Sequence, residues 1–257
     1  MDLTDEQWAA IERFVPGPER QRTTAKGGRP WRDPRDVLNG ILWVLRTGAP
    51  WADLPARYPP YATCHRRFQK WEKQCVLDRI LEAIAQDLHR RGKVDLTEAF
   101  IDGSHAGAKK GVFSFGKTRR GKATKIMAVA DRNGLPIAIG IASGERHETK
   151  LVCATLAARF LKAKPQRLIG DRAYDSDALD AELQAMSIEM IAPHRCNRKQ
   201  PTQDGRPLRR YRRRWHVERL FAWLQCSRRL ITRFEHKAAN FLAFLKLRCI
   251  ILLLRRL

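Results

Sequence analysis

The chain has 257 residues, in which 50 lysines and arginines outnumber 27 aspartates and glutamates to give a formal net charge of +23. This excess excludes an ordinary neutral enzyme, and a hydrophobic content of 44% excludes a wholly disordered chain. The excess is concentrated in residues 195–257, which hold 18 basic and 3 acidic side chains. A surface this basic predicts a polyanionic partner, either nucleic acid or an anionic membrane surface.

The first 95 residues are predicted to form helices separated by turns rich in proline and glycine. Thr4 and Gln7 make a capping-box pattern before a helix that ends at Pro16. Apolar residues at helical spacing then predict three more helices, over residues 35–46, 62–73 and 79–91. Residues 1–95 are therefore expected to form an all-α domain.

Two features of this region favour contact with DNA. Arg29 lies in a Gly-Arg-Pro sequence within a basic loop, a pattern typical of an arm in an A·T-rich minor groove, although a flexible basic linker explains it equally well. The third helix places Phe68 and Trp71 inward and Arg66, Arg67 and Lys70 outward. This outline resembles a helix-turn-helix, and the alternative is a plain helical bundle with a solvated basic face.

From Leu96 onward the pattern changes to short apolar, β-branched runs. Strands are predicted over 96–102, 124–131 and 135–142, and Asn133-Gly134 indicates a tight hairpin between the last two. Helix 148–161, strand 167–171, helix 176–186 and strand 188–192 then alternate, and the remainder is predicted to be helical. The order predicts an α/β fold in which a mixed sheet is flanked by helices.

Three acids stand out by their positions. Asp102 and Asp171 each end a predicted strand, so that both are expected at one edge of the sheet. Glu218 belongs to a strongly basic helical segment and shares a stripe with Tyr211, Arg214 and Gln225. The simpler interpretation is that each aspartate caps a turn and that Arg214 pairs with Glu218 along the helix.

Taken together, the three carboxylates favour a metal site. Clustered carboxylates repel one another unless a cation is present, and Mg²⁺ prefers oxygen ligands. Two such ions, roughly 3.5 to 4 Å apart, activate a water or hydroxyl and stabilise the leaving oxygen of a phosphodiester. Carboxylates within a basic surface therefore predict phosphoryl transfer on nucleic acid.

In the order of the chain, several motifs resemble those of bacterial insertion-sequence transposases of the DDE type, close to the insertion-sequence-five branch. They include Arg46-Thr47-Gly48-Ala49-Pro50-Trp51, Ile101-Asp102-Gly103-Ser104-His105, Gly170-Asp171-Arg172-Ala173-Tyr174 and Val217-Glu218-Arg219. The resemblance implies a ribonuclease-H-like catalytic domain over 96–257, a DNA-binding helical domain over 1–95, and a DDE triad of Asp102, Asp171 and Glu218. It also implies two Mg²⁺ ions per site, with Mn²⁺ as a substitute.

The resemblance further implies that the protein binds double-stranded DNA at transposon ends and at the target, as a homodimer or higher oligomer, and neither membranes nor small-molecule substrates. A Tyr-Arg-Glu-Lys signature of related transposases matches Tyr211, Arg214 and Glu218, whereas the lysine position is Gln225. The residues expected to contact DNA are Arg29, Arg66, Arg67, Lys70, Lys117, Arg119, Arg120, Lys122, Tyr211, Arg213, Arg214 and Arg228.

The location of the protein is expected to be the bacterial cytoplasm, at the nucleoid. The acidic amino terminus does not resemble a secretory signal, and the scattered cysteines indicate reduced thiols. The apolar stretch 241–254 contains Lys246 and Arg248, which predicts a buried helix and not a membrane span.

Two other functions stay open. One is a non-catalytic DNA-binding derivative of a transposase, which the presence of all three acids disfavours and Gln225 keeps open. The other is a ribonuclease-H-like nuclease that cuts DNA without joining it. A membrane-surface protein is least favoured, because the basic residues cluster around a polar stripe and do not border one long apolar face.

Overall fold

The computed structural model describes residues 2–17, 31–109, 116–118, 121–200, 205 and 207–257, without the side chains of Lys117 and Pro207. The predicted DNA contacts Arg29, Arg119 and Arg120 lie outside the described residues, as does the side chain of Lys117.

Four α-helices lie in the described part of the amino-terminal region, as the sequence predicts. They are α1 (Asp5–Ile11), α2 (Pro34–Thr47), α3 (Tyr61–Lys73) and α4 (Val76–Arg90). Thr4 closes the predicted capping box with Gln7, and Asp33 caps α2, whose first residue is Pro34. Gly48 ends α2 with a φ of 72°, a left-handed conformation that favours glycine.

The connection between α2 and α3 departs from the predicted helix-turn-helix outline. It runs from Gly48 to Pro60 and contains a short 3-10 helix at Trp51–Asp53, whereas a helix-turn-helix joins its helices by about three or four residues. Trp51 packs on Phe68 of α3 with ring centroids 5.9 Å apart, and this contact fills the space between the helices. The connection between the two helices is therefore longer than the turn of a helix-turn-helix.

Seven strands form one mixed sheet. They are β1 (Ala99–Ala108), β2 (Gly116–Thr118), β3 (Gly121–Asp131), β4 (Pro136–Ser143), β5 (Arg167–Ile169), β6 (Glu189–Ile191) and β7 (Thr232–Arg233). β3 lies antiparallel between β1 and β4, while β5 and β6 continue the sheet in parallel on the other side of β1. The alternation of β5 and β6 with helices explains this parallel half.

The predicted Asn133-Gly134 hairpin joins β3 to β4. Buried Asp131 accepts hydrogen bonds from the backbone N–H groups of Asn133, Leu135 and Asp95. Burial raises the pKa of Asp131 to about 6, against the lowering effect of these three bonds. Gly134 has a φ of 84°, which the turn requires.

The first strand is longer than predicted. The prediction that it ends at Asp102 is wrong, because antiparallel pairing with β3 continues from Ala99 opposite Asp131 to Gly107 opposite Ala123. Only the pairing with β5 stops early, at Phe100 opposite Ile169. Asp102 thus lies within a strand, just beyond the point where its parallel neighbour ends.

Helices cover the sheet and complete the fold. They are α5 (Val152–Ala157), α6 (Asp177–Ala185), α7 (Trp215–Gln225) and α8 (Ala238–Leu254). The predicted helix over 148–161 is shorter, because a 3-10 helix occupies Glu148–Leu151 and Phe160 donates its N–H to Ile137 of β4 at 2.8 Å. The carboxyl-terminal part is not all helical either, since β7 interrupts it and pairs with β1.

One hydrophobic core runs through both halves of the chain. It joins buried residues of α2, α3 and α4 to those of the sheet and of α8. The apolar helix α8 packs against α4 and α3 as a buried helix, with Phe244 stacked 4.5 Å from Phe68. Within the described parts of the chain, no helix has the length and apolar character needed to cross a bilayer.

Candidate active site

Asp102 lies on β1, whereas Asp171 follows the end of β5 at Ile169, so the prediction that this strand reaches Asp171 is wrong. Phe100 of β1 pairs with Ile169 of β5, and each aspartate follows two residues later. Burial raises the pKa of Asp102, and the charge of Asp171 adds to this. The structure therefore brings together the two acids that the sequence places after strands.

Arg214 links Asp102 to Glu218. Its guanidinium donates to Oδ2 of Asp102 at 2.7 Å and to Oε1 of Glu218 at 2.6 Å. Burial raises the pKa of the Asp102 carboxyl, and the charges of Glu148 and Asp171 add to this, whereas the Gly103 N–H and Arg214 lower it. The negative charge at this edge is therefore only partly compensated by Arg214.

Glu218 lies in the first turn of α7, and its side chain is 53% exposed. The prediction that Tyr211, Arg214, Glu218 and Gln225 share one α-helix is wrong at its start, because Tyr211 belongs to the 3-10 helix Pro207–Arg213 and α7 begins at Trp215. Arg214 nevertheless reaches Glu218 four residues later, and its guanidinium lies 5.8 Å from the Tyr211 ring centroid. Gln225 is exposed at the last turn of α7.

The loop after Asp171 is held by local hydrogen bonds. Asp171 caps the 3-10 helix Arg172–Tyr174 by accepting from the Ala173 N–H at 2.8 Å. Asp175, whose side chain is 2% exposed, accepts from the Arg195 N–H and from Arg198. These bonds and His194 hold the pKa of Asp175 below its usual value, although burial acts to raise it. The basic loop after β6 is thereby attached beside Asp171.

Glu98 engages two arginines of the basic segment. Arg210 donates to it at 2.9 Å, and Arg213 donates to both of its oxygens at 2.6 and 2.5 Å. The Glu98 side chain is 7% exposed, so that this carboxylate needs the positive partners. Arg213, expected to contact DNA, is thus bound to a buried carboxylate next to β1.

The other predicted DNA contacts differ in accessibility. Arg66 and Arg228 are exposed, Lys122 is exposed on β3, and Lys70 is half-buried. The prediction that Arg67 points outward is wrong, because it is 8% exposed and its guanidinium lies 3.8 Å from the Trp31 ring centroid. Burial accordingly lowers the pKa of Arg67. Its polar end is covered by an aromatic ring that the helical periodicity does not reveal.

The two histidines near the site stabilise turns. His105 Nε2 lies 3.1 Å from the carbonyl oxygen of Gly144, and His147 Nδ1 lies 2.8 Å from the Thr149 hydroxyl. These contacts attach the loop after β4 to β1.

The predicted acids suit a divalent metal by their chemistry, since carboxylates supply the oxygen ligands that Mg²⁺ prefers and the charge around Asp102 favours a cation. No three His, Cys, Asp or Glu side chains among the described residues are arranged as a ready metal site. At this edge the guanidinium of Arg214 contacts one oxygen of Asp102 and one of Glu218.

Sequence reasoning missed three residues of this region: Glu98, Glu148 and Tyr174. The charge of Glu148 helps to raise the pKa of Asp102. The hydroxyl of Tyr174 donates a hydrogen bond to Oε2 of Glu148 at 2.9 Å. The available signal was the pair of glycines beside the aspartates, Gly103 and Gly170, because a glycine in a strand often marks a close approach of another group.

Comparisons with known proteins point to insertion-sequence transposases. A family model for transposases of the IS4/5 family matches residues 3–81. An uncharacterized 16.2 kDa protein of insertion element IS402 from Burkholderia cepacia is 36% identical over 104 residues, which are 40% of this chain and 70% of that protein. A protein from the same organism, named as a transposase for IS402, is 35% identical over 129 residues, 47% of this chain and 58% of the relative.

The solved structure of piggyBac transposase, in a synaptic complex with hairpin DNA, resembles the chain with a TM-score of 0.50 at 11% identity. The likeness covers 96% of this chain and 71% of that one. It concerns the fold, and it confirms the predicted ribonuclease-H-like mixed sheet flanked by helices with an amino-terminal helical region. A family model for the transposase DDE domain matches residues 93–254, more than half of the sequence, so the chain belongs to the DDE transposases.

Proposed function

We propose that the chain cleaves and joins phosphodiester bonds at the ends of an insertion sequence, with Asp102, Asp171 and Glu218 as its catalytic acids. The observation that carries the proposal is the position of the two aspartates, each two residues after the last pair between the parallel strands β1 and β5, with Glu218 linked to Asp102 through Arg214. The charge of Asp171 acts on the Asp102 carboxyl and helps to raise its pKa, which supports a shared site.

The three acids would hold Mg²⁺, or Mn²⁺ in its place, with two ions per site. When bound, the metal supplies an activated water or hydroxyl and stabilises charge on the phosphate oxygens. Burial and the neighbouring carboxylates disfavour the negative charge of Asp102, so that a cation would be favourable at this edge. The positive charge of Arg214 lies between Asp102 and Glu218 and reduces the repulsion between them.

Double-stranded DNA is the proposed substrate, both as the terminal inverted repeats of the element and as target. Exposed arginines of the carboxyl-terminal region, such as Arg212 and Arg228, would bind backbone phosphates, and Arg66 would do so from α3. The proposed unit is a homodimer or higher oligomer on paired ends, acting on DNA in the bacterial cytoplasm. Residues 1–95 are proposed as the DNA-binding domain and residues 96–257 as the catalytic domain.

Cleavage of a labelled duplex carrying the element's terminal repeat tests the assignment. Asp102→Ala, Asp171→Ala and Glu218→Ala should each abolish Mg²⁺-dependent cleavage and leave end binding intact, because they remove metal ligands and no basic group. Glu82→Ala, which removes an exposed acid of α4, is the matched control and should cleave normally. Metal-dependent cleavage retained in all three triad variants would contradict the assignment.

A strand-transfer assay with a pre-cleaved end and target DNA separates the alternative functions. Joined products are expected for a transposase. Cut DNA that is never joined would instead indicate a ribonuclease-H-like nuclease. Binding without cutting or joining would indicate a non-catalytic derivative, for which the substitution of Gln225 at the family's lysine position is the relevant observation.

A further inference from the structure

Glu148 is a largely buried acid beside the proposed triad. It is the first residue of the 3-10 helix Glu148–Leu151, which follows β4, and its side chain is 18% exposed. A buried carboxylate is stable only with positive or hydrogen-bonding partners. The partners of Glu148 come from two other segments of the sheet, and they explain why it lies there.

Both carboxylate oxygens of Glu148 are engaged. Oε2 accepts from the hydroxyl of Tyr174 at 2.9 Å, and Oε1 lies 3.3 Å from Nζ of Lys125 on β3. Lys125 also donates to the carbonyl of Arg146 at 2.8 Å, so it fixes the turn that leads into Glu148. Burial raises the pKa of Tyr174, helped by the charge of Glu148, and the hydroxyl therefore remains a donor.

Glu148 and Tyr174 lie close to the glycines that adjoin the two aspartates. A Cβ at Gly103, directly after Asp102, would lie 2.7 Å from Oε1 of Glu148. A Cβ at Gly170, directly before Asp171, would lie 2.6 Å from Cδ2 of the Tyr174 ring. Glu148 lies against Gly103, Tyr174 lies against Gly170, and a hydrogen bond joins the two side chains. Together they connect the segment that carries Asp102 to the segment that carries Asp171.

We infer that Glu148 is a positioning residue of the catalytic site: through Tyr174 it fixes the separation of Asp102 and Asp171 and so prepares both carboxylates for a divalent cation. The inference rests on the proposed function. Glu148 acts through its neighbours Tyr174 and Lys125, which its two oxygens contact. Second-layer residues of this kind determine how well metal ligands are preorganised.

Binding of Mn²⁺ to the purified full-length protein, followed by electron paramagnetic resonance, tests this without relying on activity. Glu148→Gln and Tyr174→Phe should each weaken Mn²⁺ binding by roughly 10- to 100-fold, the usual effect of losing such a partner. Tyr174→Phe keeps the ring over Gly170 and removes only the hydroxyl. Glu145→Gln is the matched control, because it makes the same change at an exposed acid of the same loop and should bind Mn²⁺ normally.

The double variant tells whether the two residues act as one unit. If Glu148 works through Tyr174, the combined variant should bind Mn²⁺ about as weakly as the worse single variant, since interacting residues are not additive. Excess Mg²⁺ should restore part of the cleavage rate in Glu148→Gln and none in Asp171→Ala. Additive losses, or Mn²⁺ affinity unchanged in both folded single variants, would overturn the inference.

The outcomes also separate this inference from the proposed function. If the unaltered protein neither binds Mn²⁺ nor cleaves DNA, the proposed function fails. If it does both and Glu148→Gln matches it in Mn²⁺ affinity, only the positioning role of Glu148 fails. Urea unfolding of each variant verifies that the protein is folded, and Tyr174→Phe carries the test if Glu148→Gln is not folded.

Discussion

Two parts of the basic carboxyl-terminal region use arginine in different ways. Between residues 207 and 219, arginines bind carboxylates: Arg210 and Arg213 bind buried Glu98, and Arg214 binds Asp102 and Glu218. The side chains of Arg210, Arg213 and Arg214 themselves keep some exposure to solvent, between 20% and 39%.

Between residues 228 and 248, arginines are mostly internal. Arg229 is paired with buried Glu235 and donates to the carbonyl of Ala49 beyond the end of α2. Arg233 has no exposed surface and donates to Thr124 and to the carbonyl of Glu235, and Arg248 donates to the carbonyl of Trp223. The two segments look alike in composition, yet one surrounds the candidate site and the other connects helices to the sheet.

The largest effect is expected at Arg233. Arg233→Met leaves Thr124 and two carbonyls buried without their donor, and it should lower the free energy of unfolding by about 3 kcal/mol. Urea unfolding measures this. The matched control Arg212→Met, at an exposed position, should stay within about 0.5 kcal/mol. A stable Arg233→Met variant with weakened DNA binding would contradict the assignment of a structural role to the arginines of residues 228–248.

A smaller effect is expected at Glu98. Glu98→Gln removes the charge that holds Arg210 and Arg213, and it should lower the free energy of unfolding by about 2 kcal/mol. If the released arginines reach phosphates, the dependence of log Kd on log salt should steepen by up to about 2, as fluorescence anisotropy would show. Lost stability with an unchanged salt dependence would mean that these arginines are structural too.

DNA binding should depend on Arg212 more weakly still. Arg212→Ala should reduce the salt slope of end binding by about 1, uniformly across sequences, without destabilising the fold. A titration of anisotropy against salt gives the slope. An end-binding affinity that is insensitive to salt in the unaltered protein would contradict the interpretation of the basic surface.

The smallest effect concerns pH and His65, whose ring centroid lies 5.0 Å from that of Trp51 at an interplanar angle of 49° and which is influenced by the charges of Arg229 and Glu235. Burial lowers the pKa of His65, and the charge of Arg229 adds to this against Glu235. The folded protein therefore binds a proton less readily than the unfolded chain, and its stability should fall as the pH drops below about 6.5. His65→Gln should reduce this slope in urea unfolding. An identical slope in both proteins would exclude His65 as its source.

The sequence predicts the elements whose signals are local. The capping box of Thr4, the hairpin at Gly134 and the parallel pairing of the strand segments that precede Asp102 and Asp171 all follow from short patterns of residues. The continuation of β1 beyond Asp102 does not, because it depends on pairing with β3 and its residues are glycine-rich and polar.

The arrangement of charges could not be predicted for a similar reason. Glu98 and Arg213 are more than a hundred positions apart in the chain, and a single sequence does not show which arginine meets which carboxylate. Glu148 looked like the start of a longer helix, and only the folded sheet brings it to Tyr174 and Lys125. Long-range partners therefore define most of the candidate site beyond the triad.

The packing of α8 has a consequence for synthesis on the ribosome. Part of the apolar surface of α3 and α4 is buried by α8. Phe244 of α8, which stacks on Phe68 of α3, is synthesised long after Phe68. The amino-terminal helices thus stay incompletely covered during most of translation, as a nascent segment with exposed apolar surface. The core around α3 and α4 is therefore complete only after α8 has been made.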